Sequence, residues 1–158
     1  MNAGQDAPDF TMPASFGRTV SLKSQAGKPF VLYFYPKADT PGCTTEACAF
    51  EESIPAFKDI AVIGVSPDAI PPIETFAKKY NLTFPLASDP DHSVAEAFGV
   101  WVEKSMYGKT YMGIERSTFL IDAKGRIARA WHKVKVNGHA AEVMTAAAAL
   151  CPGPNINN

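Results

Sequence analysis

Two cysteines five residues apart, Cys43 and Cys48, are the side chains in this sequence best suited to chemistry. The segment around them, residues 34–50, is FYPKADTPGCTTEACAF, which predicts a strand, a turn and the start of a helix. Thr40 suits the N-cap and Pro41 suits the first helical position, so Cys43 falls in the first turn. Helix N-termini stabilise negative charge and commonly lower the pKa of a thiol. The placement therefore predicts that Cys43 is a reactive thiolate.

The predicted helix carries one apolar stripe with spacings of three and four residues. Its members are Cys43, Ala47, Phe50, Ile54 and Phe57. Cys43 is therefore expected to face the body of the protein, whereas Cys48 lies about 140° around the helix and nearer to solvent. Two thiols on different faces of one helix are poorly placed to share a metal ion. The alternative interpretation is that both cysteines are small core residues without a chemical role.

The order of apolar runs and helical patterns predicts an α/β fold with a mixed central β-sheet flanked by helices. Runs that are apolar throughout are typical of strands buried on both faces. The predicted strands are 30–35, 60–65, 83–86, 117–122 and 126–131. The predicted helices are 41–57, 72–80, 93–98 and 139–150.

The segments between these elements give weaker signals. Residues 1–29 predict an entry segment with a small hairpin, and 123–125 predict a hairpin turn. Residues 101–116 show no clear period and predict a long ordered loop. Pro55 is expected to kink or end the first helix, because it removes a backbone N–H.

Length and composition predict a single domain over residues 1–158, with 152–158 as a loose tail. A charged fraction of 20% and a hydrophobic fraction of 46% argue against a disordered or membrane protein. The formal charge of −1 provides no basic field for nucleic acid. No apolar stretch approaches the ~20 residues of a membrane span, and the first residues lack the features of a signal peptide. We therefore expect a cytoplasmic protein without nucleic-acid or membrane partners.

The segment around Cys43 is similar to the active-site signature of the peroxiredoxins, specifically the Q type, also called the bacterioferritin comigratory type. The family pattern Pro-x-x-x-Thr-x-x-Cys is matched by PKADTPGC at residues 36–43, and the Q-type second cysteine is matched by Cys48. The resemblance runs from residue 4 to residue 150, through FVLYFYPKADTPGC, SDPDHSVAEAFGVW and ERSTFLIDAKGRI. Cys151 lies outside the pattern and receives no role.

This resemblance implies a thioredoxin-like fold and a thiol peroxidase for hydrogen peroxide and organic hydroperoxides, without a metal or other cofactor. It implies that Cys43 is the peroxidatic thiol and Cys48 the resolving thiol, joined by an intramolecular disulfide during the cycle. The implied reductant is thioredoxin or a similar dithiol. A monomer is expected, since resolution within one chain needs no partner subunit.

The resemblance also implies roles for three more residues. The Thr40 hydroxyl is expected to bond the thiolate or the peroxide, Pro36 to shield Cys43, and Arg116 to be the active-site arginine. Without the resemblance, Arg116 would be interpreted as a surface arginine beside a strand. Glu46 is interpreted as a first-turn acid favoured by the helix dipole and is left out of the site. The three histidines lack ligand spacing, so no metal site is expected.

Three other functions are compatible with a thioredoxin-like chain that carries two cysteines. A dithiol–disulfide oxidoreductase usually carries Cys-x-x-Cys, which the wider spacing here disfavours. A metal-binding module such as a copper chaperone would use two cysteines one helical turn apart and a converging histidine. A non-catalytic interaction domain would not need the intact active-site signature.

Overall fold

The computed structural model describes residues 1–57 and 59–150, which form a mixed α/β fold. Cys151 and the predicted tail, residues 152–158, lie outside the described residues. The strands are β1 Thr11–Pro13, β2 Thr19–Ser21, β3 Phe30–Phe34, β4 Ala61–Ser66, β5 Leu86–Ser88, β6 Trp101–Met106, β7 Lys109–Ile114, β8 Ser117–Ile121 and β9 Ile127–Trp131. The helices are α1 Pro41–Ser53, α2 Ile70–Tyr80, α3 Ser93–Ala97 and α4 His139–Ala148. None of these helices is long and apolar enough to cross a membrane.

The apolar run at residues 30–35 supplies the central strand of a five-stranded sheet. The strand order is β5-β4-β3-β8-β9, and all five residues of β3 are buried. Strands β3, β4 and β5 are parallel, whereas β8 is antiparallel to both of its neighbours. A strand covered on both faces carries apolar side chains on both, which is the pattern seen in this run. The predicted mixed sheet is confirmed.

Each side of this sheet has its own core, because successive side chains of a strand point to opposite faces. Phe30, Leu32 and Phe34 pack with α3 and the β1–β2 hairpin. Val31 and Tyr33 pack with α1, α2 and α4 on the other side. Helices therefore cover both faces of the sheet, as predicted.

Two prolines set element boundaries, because a proline has no N–H to donate. Helix α1 ends two residues before Pro55 and continues as one 3₁₀ turn, which confirms the predicted break. The strand predicted at 83–86 is partly wrong, since β5 begins at Leu86, directly after Pro85. Pro85 has no N–H to donate to the neighbouring strand, so regular β-sheet pairing starts one residue later, at Leu86.

The loop predicted at 101–116 is wrong, because this segment forms the β6–β7 hairpin. Tyr107 and Gly108 make its turn, and both have positive φ angles, 51° and 79°, as the tight turn of a hairpin requires. Most residues of the two strands are exposed or half-buried, so the sequence lacks the alternation that marks a strand with one buried face. The two hairpins that the sequence did predict, within residues 1–29 and around residues 123–125, are confirmed as β1–β2 and β8–β9.

Gly64 allows the sheet to support α1 at close range. The Tyr33 ring packs over Gly64 of the neighbouring strand and stacks on Phe50 of α1, with ring centroids 4.7 Å apart. A Cβ atom on Gly64 would lie 2.9 Å from the Tyr33 ring and 2.9 Å from the Leu86 side chain. Packed cores do not accommodate contacts that short without displacement. Glycine at this position is therefore needed for the aromatic stack beneath α1.

Replacing Gly64 by alanine is expected to destabilise the protein by about 1–3 kcal/mol, because the added methyl group must displace Tyr33 and Leu86. Gly113→Ala in β7 is the matched control. Its Cβ would meet the flexible Lys104 side chain at 3.3 Å, and that side chain can move. We expect a change below about 0.5 kcal/mol for the control. Urea unfolding followed by circular dichroism measures both, and equal stability of the two variants would contradict the packing argument.

Candidate active site

The start of α1 places Cys43 at its third residue. Thr40 has the extended backbone of an N-cap, with φ −95° and ψ 156°, and its carbonyl accepts the N–H of Thr44 at 2.8 Å. Pro41 occupies the first helical position, as predicted. The Cys43 side chain faces inward and is only 1% exposed. First-turn N–H groups lack partners within a helix, so they and the helix dipole favour an anion at this position.

The Thr40 hydroxyl bonds the backbone of the loop that precedes α1. It donates to the Lys37 carbonyl at 2.8 Å and makes no side-chain cap. Within the described part of the chain, it has no hydrogen bond to Cys43. Pro36 follows β3 closely and is half-buried, in the loop that leads into α1. The roles of Thr40 and Pro36 therefore stay predictions.

Side chains from distant elements hold the loop between β3 and α1. The Asp39 carboxylate accepts from Lys79 Nζ at 3.0 Å and from the Tyr80 hydroxyl at 3.0 Å, both at the end of α2. These contacts accompany a positive φ of 61° at Asp39, which is unusual for a residue other than glycine. The Ala38 N–H donates to the Asp68 carboxylate at 2.7 Å. Sequence reasoning did not identify these supports, because each joins residues thirty or more positions apart.

Arg116 lies against Cys43, although 73 residues separate them in the sequence. Its Nη2 atom donates to Cys43 Sγ at 3.3 Å, and its Nη1 atom donates to Glu46 Oε1 at 2.6 Å. Burial acts to lower the pKa of Arg116, but the nearby Glu46 and Cys43 outweigh it and raise that pKa. The guanidinium therefore keeps its positive charge beside the sulfur. The interpretation of Arg116 as a plain surface residue is wrong.

Gly42 leaves the space that this guanidinium occupies. A Cβ atom at Gly42 would lie 3.2 Å from Arg116 Nη2, the atom that donates to Cys43. A side chain here would crowd the guanidinium, which would have to shift by a few tenths of an ångström. The glycine before the cysteine thus has a steric role that the sequence alone did not indicate.

Glu46 is a buried partner of Arg116 and not the solvated first-turn acid that the sequence suggested. It is 1% exposed, and its Oε2 atom has no hydrogen-bond partner among the described residues. Burial raises the pKa of Glu46 to about 7, and the attraction of Arg116 offsets only part of that effect. The signal that predicts its burial is its spacing: Glu46 lies three residues after Cys43 and next to Ala47, on the inward face of α1.

Tyr33 of β3 and Tyr35, which directly follows the strand, belong to the same core cluster as Cys43. The Tyr33 and Tyr35 rings lie 5.5 Å apart, and both are fully buried. Burial raises the pKa of both phenols, with smaller contributions from Cys43 and Glu46. Both hydroxyls therefore stay neutral at physiological pH, and they add no charge to the site.

Cys48 lies in the same uninterrupted helix, on a more exposed face than Cys43. Burial, together with the nearby acids Glu52 and Glu51, raises the pKa of its thiol. Both cysteines are free thiols in the structure. Five residues along a regular helix separate their Cα atoms by roughly 8–9 Å. Among the described residues, no group of three or more His, Cys, Asp or Glu side chains is placed to hold a metal ion.

Comparison with known proteins gives the same assignment at the level of family. Residues 3–130 match the model of the AhpC/TSA family. The chain is 50% identical to a putative peroxiredoxin Bcp of Coxiella burnetii over 146 residues, covering 91% of this chain and 97% of the relative. It is 53% identical to peroxiredoxin Bcp of Bacillus subtilis over 143 residues, covering 89% of this chain and 91% of the relative.

Solved structures agree with these sequence relationships. Peroxiredoxin Q of Xanthomonas campestris superimposes with a TM-score of 0.87 at 43% identity, covering 93% of this chain and 97% of that chain. A Xylella fastidiosa PrxQ variant superimposes with a TM-score of 0.88 at 41% identity, covering 94% and 96%. These matches confirm the predicted thioredoxin-like fold. The chain therefore belongs to the AhpC/TSA family and is a peroxiredoxin, a thiol peroxidase, of the Bcp or Q type.

Proposed function

We propose that this peroxiredoxin reduces hydroperoxides with Cys43 as the attacking thiolate and Cys48 as the resolving thiol. The observation that carries the proposal is the 3.3 Å contact between Arg116 Nη2 and Cys43 Sγ at the start of α1. A positive charge and a helix N-terminus together favour the thiolate, which is the form that attacks an O–O bond. A related protein supports the substrate class. The Xanthomonas campestris bacterioferritin comigratory protein is 43% identical to this chain, and its solved structure concerns its alkyl peroxide reduction activity.

In the first step, the Cys43 thiolate attacks the terminal oxygen of ROOH. The S–O bond forms as the O–O bond breaks, so the sulfur is oxidised to a sulfenic acid. The departing alkoxide takes up a proton and leaves as an alcohol, or as water when the substrate is hydrogen peroxide. Arg116 and the first N–H groups of α1 are placed to stabilise the negative charge that develops on the peroxide oxygens.

The remaining residues of the proposed site orient these groups. Glu46 accepts from Arg116 Nη1 at 2.6 Å and so fixes the direction of the guanidinium, which makes it a positioning residue. Thr40 is assigned a hydrogen bond in which its hydroxyl oxygen accepts the O–H of the peroxide, since its own hydrogen goes to the Lys37 carbonyl, and Pro36 is assigned the shielding of Cys43 from water. These last two roles rest on the family signature at residues 36–43.

In the second step, the Cys48 thiol attacks the sulfenic sulfur, water leaves, and the Cys43–Cys48 disulfide forms. An external dithiol then reduces that disulfide by thiol–disulfide exchange and returns both cysteines to thiols. We assign this role to thioredoxin or a similar dithiol, in a cytoplasmic setting where such donors keep thiols reduced. The proposed working form is a monomer, because both cysteines belong to one helix.

Replacing each cysteine by serine tests the two thiol roles. Cys43→Ser is expected to abolish peroxide reduction, because the nucleophile is lost. Cys48→Ser is expected to form a sulfenic acid at Cys43 that a dimedone probe traps, but no intramolecular disulfide. Mass spectrometry after one equivalent of hydrogen peroxide distinguishes these products. Normal turnover in Cys43→Ser would exclude the proposed mechanism.

Arg116→Met is expected to leave a smaller fraction of Cys43 as thiolate at neutral pH, because a positive charge beside the sulfur is removed. It should also slow the second-order reaction with peroxide by roughly a hundredfold, because a transition-state donor is lost. Ultraviolet thiolate absorbance against pH and stopped-flow kinetics measure the two effects. Arg126→Met is the matched control, since Arg126 is exposed and pairs with the exposed Asp6. If Arg116→Met behaved like that control, Arg116 would have no catalytic role.

Oxidation is expected to unwind the first turns of α1. A disulfide requires Cα atoms within about 7 Å, less than the roughly 8–9 Å that separates the two cysteines in a regular helix. Amide hydrogen exchange over residues 43–50 should therefore become faster after oxidation, while β3 stays protected. Peroxide-treated Cys48→Ser is the control, because it is oxidised without forming the bond and should keep the helix. Unchanged exchange in a chain shown to contain the disulfide would contradict this prediction.

A further inference from the structure

A shallow pocket of about 360 Å³ lies beside the active-site arginine and takes no part in the mechanism above. Its walls come from β6, from Glu115 and Arg116, and from the loop that follows β9. Arg116 connects the pocket to the nucleophile, because it lines the pocket while its Nη2 atom donates to Cys43 Sγ. The far end of a substrate bound at Cys43 can therefore extend into this pocket.

Two lysines of the pocket carry charges that the protein does not pair. Among the described residues, neither Lys104 nor Lys133 has a carboxylate within salt-bridge distance. The pocket also contains two acids, Glu103 and Glu115. Glu115 lies 3.5 Å from His132, and Glu103 is on the opposite face of β6 from Lys104. Cationic side chains thus outnumber the acids in the pocket, since Arg116 is the third.

Lys104 is held close to the site by the strand beside it. Its aliphatic chain crosses Gly113, where a Cβ atom would lie 3.3 Å from Lys104 Cδ. Partial burial lowers the pKa of Lys104, and the positive charge of Arg116 lowers it further, whereas Glu115 and Cys43 act in the opposite sense. Lys104 and Arg116 are neighbouring cations that repel each other, and Lys104 has no carboxylate partner among the described residues. An anion bound beside them would reduce this repulsion.

We propose that Lys104, assisted by Lys133, forms an anion subsite that favours small organic hydroperoxides carrying a carboxylate. This inference rests on the proposed function, because it places the hydroperoxide group at Cys43. The carboxylate then lies on the pocket side of Arg116, and two or three carbon atoms join the two groups. Val102 provides an apolar wall for that linker.

The test compares an anionic and a neutral substrate, 4-hydroperoxy-4-methylpentanoate and its methyl ester, which is larger by one methyl group. Both carry the same tertiary hydroperoxide, so the ratio of their kcat/KM values isolates the effect of the carboxylate. For the parent protein we expect the acid to be preferred about tenfold at low ionic strength, the size of one charge interaction near a protein surface. Added salt should reduce the preference, because it screens partly exposed charges.

Lys104→Met is expected to lower the acid-to-ester ratio to about two or less, and Lys133→Met to lower it partly. Because both substrates react with the same sulfur, any change in the reactivity of Cys43 cancels from the ratio. Lys109→Met is the matched control: Lys109 is exposed on the same face of the hairpin but does not line the pocket. It should retain the full ratio.

A ratio near one in the parent protein, or an unchanged ratio in Lys104→Met, would overturn the subsite. The methyl ester tests the proposed function separately, because it needs Cys43 but not the lysines. Reduction of the ester together with a parent ratio near one removes the subsite and leaves the proposed function standing. Failure to reduce either substrate would overturn both.

Discussion

The Arg116 guanidinium is the contact through which two distant parts of the chain become one site. One of its nitrogens reaches the Cys43 sulfur and another reaches the Glu46 carboxylate, both on the buried face of α1. A buried carboxyl without a partner would be costly, and the positive charge offsets part of that cost. Glycine at position 42 leaves room for this arrangement, since a Cβ atom there would lie 3.2 Å from Arg116 Nη2.

The sheet determines where these groups meet. In the antiparallel pairing of β3 with β8, Phe34 lies opposite Ser117. Arg116 therefore emerges at the end of β3 from which the chain turns toward α1. The height of α1 above the sheet is set by the stack of Phe50 on Tyr33, for which Gly64 leaves space. Pairing register, one aromatic stack and two glycines together bring the guanidinium to the thiol.

What the sequence predicted well is what depends on neighbouring residues. The proline at the first helical position and the buried central strand are local patterns that the structure confirms. The apolar stripe is confirmed for Cys43, Ala47 and Phe50, whereas Ile54 and Phe57 are half-buried and lie beyond the end of α1. The burial of Glu46 agrees with its spacing on the inward face of α1, although its charge favoured the interpretation of a first-turn acid. The direction of the Thr40 hydroxyl depends on a competing acceptor, the Lys37 carbonyl, which the N-cap pattern did not predict. Arg116 was identified only through family resemblance. The β6–β7 hairpin was missed because neither of its faces is fully buried.

In the proposed reaction cycle, helix α1 serves two demands that oppose each other. A wound first turn holds Cys43 against Arg116, yet the same turn keeps Cys43 too far from Cys48 for a disulfide. Glu46 lies between the two cysteines, so unwinding would also carry its carboxyl into water. The pKa of Glu46 is about 7 in the wound helix, against an ordinary value of 4.5. The wound form thus binds more protons between these two pH values. Lower pH within that window favours the wound form of α1, in which Cys43 is positioned to attack peroxide. Higher pH favours the unwound form, in which the proposed disulfide can form.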